Sequence, residues 1–249
     1  MLLISLENRV LTLTLNRPEK RNALDAATIA GLTAALERAE LDPAVRVVAV
    51  RGAGRDFCAG ADLDELLASA DRSAEDNEES AGRLGAVYSA IRRLPHPVVA
   101  VVHGRALAGG AGLATACDLV LAGGSAQFGY PEVQRGFVPA MVMTILRRLA
   151  GEKRAFDLVA TGRVLSAAEA LDAGLVSRVV PDAELDSAAT TLLAQLAGSS
   201  ASALALIKRL FYELDGRSFD EGIALGARIN ALARAHPDFR TAIAAFLKR

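Results

Sequence analysis

From Val10 to Leu15 the apolar Leu11, Leu13 and Leu15 alternate with threonines, the period of two that marks a half-buried strand. The preceding LLISLE is also strand-like, so the chain opens on β-structure. The period then becomes helical: Asp25 stands as an N-cap before Ile29, Leu32 and Leu36, which share one helix face. VRVVAVRG follows as a strand, and the succession of strand, helix and strand continues through VVAVV, from Val98, and DLVLA, from Asp118. Such alternation predicts an α/β layer with mostly parallel strands. After Pro139 the pattern is helix upon helix, with one short strand, LVSRVV, before Pro181. Ser166 and Glu169 have capping-box spacing for a helix that Gly174 ends. The C-terminal part is expected to be helical, packed on the core or on neighbouring subunits. Ala70 to Ala81, ADRSAEDNEESA, lacks large apolar residues and reads as a mobile surface loop, with a lid as the alternative.

A chain of 249 residues that is 52% hydrophobic bounds this pattern to one compact domain with a helical appendage. Charge narrows the partners. The formal net charge is -1 and Lys and Arg are scattered, so neither nucleic acid nor an anionic membrane is expected. Pro97, His103 and Arg105 interrupt the longest apolar stretch, well short of the roughly 20 residues of a membrane span. Met1 runs straight into LLISLE without the features of a secretory signal, which makes the cytoplasm the expected compartment. Cys58 and Cys117 belong to no CxxC pair or Cys/His cluster, so no disulfide, structural zinc or other metal site is expected.

Two glycine-rich turns carry candidate chemistry. In RGAGRDFCAGAD, Asp62 can cap the helix that DLDELL begins, which leaves the Ala61 amide at the positive end of the helix. In HGRALAGGAGLA, Gly109 and Gly110 can bring their amides close to a ligand. Two amides converging on one point would form an oxyanion hole, each donor contributing about 3 kcal/mol to an enolate-like transition state. Glu132, taken alone, reads as a surface or helix-capping carboxylate, although Phe137, Val138 and Ala140 nearby are expected to supply an apolar setting of the kind that raises a carboxyl pKa. Tyr130, near the same turn, reads as a packed aromatic, or as one that lines a pocket or orients a water. Structural or surface roles are expected for His96, His103 and His236.

The order of NRPEKRNALD, FCAGADLDEL, PVVAVVHGRALAGGAGLATACDLVLA, AQFGYPEVQRGFVPA and ATGRVLSAAEALDAGLVSRVV resembles the enoyl-CoA hydratase/isomerase, or crotonase, superfamily over essentially the whole chain. GGAGLA and RGFVPA look like bacterial hydratases of branched acyl-CoAs such as methylglutaconyl-CoA. The resemblance implies a ClpP-like ββα-superhelix core over residues 1–190 and a C-terminal helical trimerisation region over 191–249. It implies that Ala61 and Gly109 form the oxyanion hole and that Glu132 is the acid/base. Lys20, Arg21, Ala23, Ala59, Asp62 and Leu63 become contacts for coenzyme A, which is part of the substrate rather than a cofactor. Phe246 and Lys248 near the C-terminus are further candidates. A second glutamate that many hydratases carry is replaced by Gly112. Hydration of a short or branched 2-enoyl-CoA therefore stands beside double-bond isomerisation, and beside a non-catalytic RNA- or ligand-binding protein on the same scaffold. A homotrimer or hexamer is implied, with Leu210, Phe211 and Leu214 partly covered by a neighbour.

Overall fold

In the computed structural model, which describes residues 1–248, the first strands pair as an antiparallel hairpin of β1 (Leu2–Glu7) and β2 (Val10–Leu15). The chain then builds parallel strands: β3 (Val47–Gly52), β4 (Val98–Val102), β6 (Leu119–Gly123) and β9 (Arg178–Val180), in the order β1-β2-β3-β4-β6-β9. A smaller sheet stands beside it, with β5 (Arg105–Leu107) parallel to β7 (Gln127–Gly129), which pairs antiparallel with β8 (Val164–Ser166). The helices are α1 (Ala26–Leu41), α2 (Leu63–Ala68), α3 (Ala74–Arg93), α4 (Gly109–Ala116), α5 (Ala140–Thr161), α6 (Ala167–Asp172), α7 (Leu185–Gly198), α8 (Ala201–Glu213), α9 (Phe219–Ala235) and α10 (Pro237–Phe246). No single helix among the described residues is long and apolar enough to cross a membrane.

Alternation along the strands sorts side chains into two cores. Val98, Ala100 and Val102 of β4 pack with Leu13, Val48, Val50, Leu32 and Ile91 on one face of the sheet. Val99 and Val101 pack on the other face with Val47, Ala49 and Leu121 against Leu185, Ala189, Leu192 and Leu193 of α7. A central strand covered on both faces must be apolar throughout, which is why VVAVV shows no alternation. Each fully buried Val or Leu contributes about 1.5–3 kcal/mol.

One expectation is corrected. Residues 70–81 are not a mobile loop: Ser73 accepts the Asp76 amide as an N-cap, Glu75 and Asp76 favour the positive helix end, and α3 runs from Ala74. Its first turns are solvated, while Leu84, Val87, Tyr88 and Ile91 further along bury it against the core. A division at residue 190 falls inside α7, whose buried side chains belong to the sheet. The helices that leave the sheet begin at Ala201.

One buried ion pair ties these outer helices down. Lys208 of α8 reaches Asp118 at 2.7 Å and also donates to the carbonyls of Ile91 and His96. Asp118 accepts from the Val98 amide and the Tyr212 hydroxyl as well, so every charge has partners. Removing one member would strand the other. Lys208→Met is expected to lower unfolding stability in urea by about 3–5 kcal/mol. A much smaller loss would show that α8 is held by apolar packing instead.

Candidate active site

The segment after β2 is a platform built around two polar side chains. Arg21 and Asn22 both lie in the left-handed region, at φ 52° and 56°, which costs non-glycine residues about 1–2 kcal/mol each. The Asn22 amide offsets this: its oxygen accepts from the Arg17 amide at 2.9 Å, and its nitrogen donates to the carbonyls of Ala53 and Asp56 at 2.8 and 2.7 Å. Arg17 bridges two helix caps. It pairs with Asp62 at 2.8 Å and Asp25 at 3.1 Å and donates to the Ala23 carbonyl. Asp25 caps α1 through Thr28, and Asp62 caps α2 through Asp64. The Arg17 hydrogen bond outweighs burial and, with the capping amides, holds the Asp62 carboxyl below its ordinary value.

Onto this platform the loop after β3 is laid like a strand. Leu24 donates to the Gly60 carbonyl at 2.8 Å, and its own carbonyl accepts from the Asp62 amide at 3.1 Å. The other side of the loop pairs with β5: Cys58 donates to the Arg105 carbonyl at 3.0 Å and accepts from the Leu107 amide at 2.9 Å. At this crossing Gly60 has φ 102°, and a Cβ there would lie 2.7 Å from that of Ala108. Ala108 is itself strained, at φ 52° and ψ −128°, and donates to the Gly129 carbonyl. Such a conformation costs about 1–3 kcal/mol. It turns the chain so that α4 begins at Gly109. The result is a pair of free amides: neither Ala61 nor Gly109 donates to an acceptor among the described residues. The Ala61 nitrogen lies 3.9 Å from the point where a Cβ on Gly109 would stand.

Glu132 sits in a 3-10 turn, Pro131–Arg135, after β7. It is only 7% exposed, and its Oε2 is buried without a hydrogen-bond partner. Burial raises its pKa, against the opposing pull of its own backbone amide and Arg135. Phe137, Val138 and Ala140, expected to form an apolar setting, are all exposed, Val138 to 59%. The turn begins at buried Pro131, directly after buried Tyr130. Tyr130 is fully packed and its hydroxyl has no partner; Thr115, the polar group acting on it, donates to the Ala111 carbonyl instead.

The enoyl-CoA hydratase/isomerase family model matches residues 5–249. The chain belongs to that family. This chain is an enzyme of the family. A Thermus thermophilus protein with a provisional enoyl-CoA hydratase name is 40% identical over 243 residues, 98% of this chain and 96% of its own length. The 1,2-epoxyphenylacetyl-CoA isomerase of Escherichia coli is 34% identical over 250 residues, covering 100% of this chain and 95% of that protein. The crystal structure of an enoyl-CoA hydratase from Mycobacterium smegmatis superposes with a TM-score of 0.95 at 35% identity, covering 99% of this chain and 96% of that one. The likeness fixes a crotonase fold.

Within this family fold, hydrogen bonds set the segment of Lys20, Arg21 and Ala23 beside the loop that carries Ala59, Ala61, Asp62 and Leu63. Their chemistry differs. Lys20 and Arg21 are exposed, with Lys20 paired to Asp64 at 2.6 Å, and Leu63 offers an exposed apolar side chain. Ala59 donates its amide to the Arg21 carbonyl. Ala23 is buried with its carbonyl taken by Arg17, and the Asp62 carboxylate is occupied by Arg17 and α2, so these two serve the platform. Phe246 and Lys248 are exposed at the end of α10, which packs on α9, and no described hydrogen bond joins them to the loop. His96 and His103 bond the carbonyls of Ala39 and Gly54, and His236 caps α10. Burial pushes the Cys58 thiol up to about 12, which leaves it without nucleophilic character. No metal-binding cluster of His, Cys, Asp or Glu occurs among the described residues.

Arg17 and Asn22 were visible in NRPEKRN but not their roles, because their partners lie up to 45 residues away. Asn22→Ala would leave the Ala53 and Asp56 carbonyls without their side-chain donor, at roughly 1–3 kcal/mol each. It is expected to lower the melting temperature and to weaken coenzyme A binding together. Calorimetry that finds unchanged stability would contradict the platform role.

Proposed function

We propose that the enzyme adds water across the double bond of a 2-enoyl-CoA with a short or branched acyl chain, giving a 3-hydroxyacyl-CoA. The observation that carries this reading is one buried carboxylate with a free oxygen, Glu132, in the same fold as two free amides at Ala61 and Gly109. The thioester oxygen accepts both amide hydrogens. As water oxygen bonds to C3, the C2–C3 π electrons move onto that oxygen, where the amides stabilise the enolate. Glu132 takes a proton from the water and returns one to C2. With Gly112 in place of a second carboxylate, one group serves both steps, and addition is syn. Branched substrates are favoured by the likeness of GGAGLA and RGFVPA to hydratases of that class.

Double-bond isomerisation is the second reading, supported by the same single carboxylate, since moving a proton between C4 and C2 needs one shuttle. Turnover of a 2-enoyl-CoA in heavy-oxygen water separates the two: hydration puts the label at C3. Rapid 3-enoyl conversion with no labelled 3-hydroxyacyl product would reverse the order. Scattered basic residues and net charge -1 disfavour an RNA-binding role. We also infer a homotrimer or hexamer, supported by the apolar side chains that α8 and α9 leave in solvent, among them Phe211, Leu214, Phe219 and Ile223. Sedimentation is expected to give a multiple of three at micromolar concentration, and a monomer alone would overturn it.

Glu132→Gln is expected to lower kcat about 10²–10⁴-fold with coenzyme A affinity kept. Because burial raises the Glu132 pKa, the acid limb of kcat/KM should lie above the ordinary glutamate value of 4.5. The same shift has a stability sign. The folded state holds the proton more tightly than the unfolded one, so this contribution is present below the unfolded pKa and lost as pH rises through the folded value. Glu132→Gln should therefore melt higher than the parent near neutral pH and lose that advantage below about pH 4. A variant that melts lower at neutral pH would show Glu132 to be satisfied in its ionised form.

A further inference from the structure

Gly112 stands where the family resemblance puts a second carboxylate, yet the space beside it is filled. A Cβ at residue 112 would lie 1.9 Å from Val142 Cγ1 of α5 and 2.7 Å from Tyr88 Oη of α3. Only the tyrosine brings a polar atom. Tyr88 Oη donates to the Gly109 carbonyl at 2.8 Å. It also lies 3.5 Å from where a Cβ on Gly109 would stand, the same point that is 3.9 Å from the Ala61 nitrogen. The hydroxyl thus borders both the vacated position and the pair of free amides. With its one proton committed to Gly109, its remaining capacity is that of an acceptor. Burial, reinforced by Cys58, Tyr130 and Glu132, pushes the phenol far above its ordinary pKa, so it stays neutral and cannot act as a base.

A water that attacks C3 needs both hydrogens held by acceptors and a lone pair left free. Two carboxylates meet that need in a two-glutamate site. Here one carboxylate remains, Glu132 with its free Oε2, and the Tyr88 phenol oxygen borders the position that the second would have taken. We propose that Tyr88 Oη replaces the absent carboxylate as the second acceptor for the reacting water, which gives its other hydrogen to Glu132. The proton balance is unchanged: the C3–O bond forms, the C2–C3 π bond opens, Glu132 carries the proton from water to C2, and Tyr88 gains and loses none. A neutral acceptor in this position also explains how the site works without a second buried charge beside Glu132, which would push both carboxyl pKa values apart. Restoring a carboxylate by Gly112→Glu would require Val142 and Tyr88 to move first.

This inference rests on the hydration reading, and one pair of assays separates their failures. Crotonyl-CoA and a 3-methyl-branched 2-enoyl-CoA report hydration. Exchange of the C2 hydrogens of butyryl-CoA in heavy water reports Glu132 and the two amides without any water at C3. Tyr88→Phe removes the acceptor and keeps the ring. Hydration by this variant is expected to fall about tenfold or more in kcat at little change in KM, the loss of one hydrogen bond. Exchange should stay within about a factor of two of the parent, which also shows that the site has folded. Equal loss of both activities would mean that Tyr88 only braces α4 through Gly109, and unchanged hydration would mean that its oxygen holds no reacting water; either result overturns the proposal. A parent enzyme that exchanges but hydrates neither thioester would overturn the hydration reading, and this one with it.

Discussion

The site depends on a short stretch of backbone pairing between two segments 46 to 49 residues apart. Phe57 and Cys58 donate to the carbonyls of His103 and Arg105, and Leu107 donates back to Cys58. This ladder sets the loop after β3 alongside β5, and everything that follows each segment is placed by it. Ala61 comes three residues after Cys58, and Gly109 two residues after Leu107, so their amides meet because the ladder is in register. The crossing tolerates little bulk, as the 2.7 Å approach at Gly60 shows.

Local strain collects around this ladder. Arg21, Asn22 and Ala108 are three of the non-glycine residues held at positive φ, and all three lie within the platform and the turn into α4. Strain of this kind persists only where surrounding bonds over-determine it. Asn22 is locked by three hydrogen bonds and Ala108 by its amide bond to Gly129. The two cores on either face of the sheet supply the stability against which these local costs are set.

Local signals were legible and distant ones were not. The strand at Leu11, Leu13 and Leu15, the caps at Asp25 and Asp62 and the capping box of Ser166 and Glu169 all rest on contacts within a few residues, and all appear. The α3 start was misread because its first turns lack the apolar residues that give a helix its visible period, although Ser73 and the acidic pair after it carried the capping signal. Asn22 donates to carbonyls 31 and 34 residues away and Tyr88 to one 21 residues away, and no spacing rule points to them. Gly112 read only as a replaced glutamate, because a missing side chain says nothing about which neighbour fills its room.

The Lys208–Asp118 pair has a consequence for how subunits would meet. It fastens α8 to the carbonyls of Ile91 and His96 within one chain, and Ser200 and Ser202 hold α10 through Asp238. The apolar side chains on these helices are therefore presented by a scaffold whose backbone freedom has already been surrendered in folding. Association then costs mainly the translational and rotational entropy of the subunits, with little further ordering of the chain. An interface of this sort gains affinity from rigidity as much as from area.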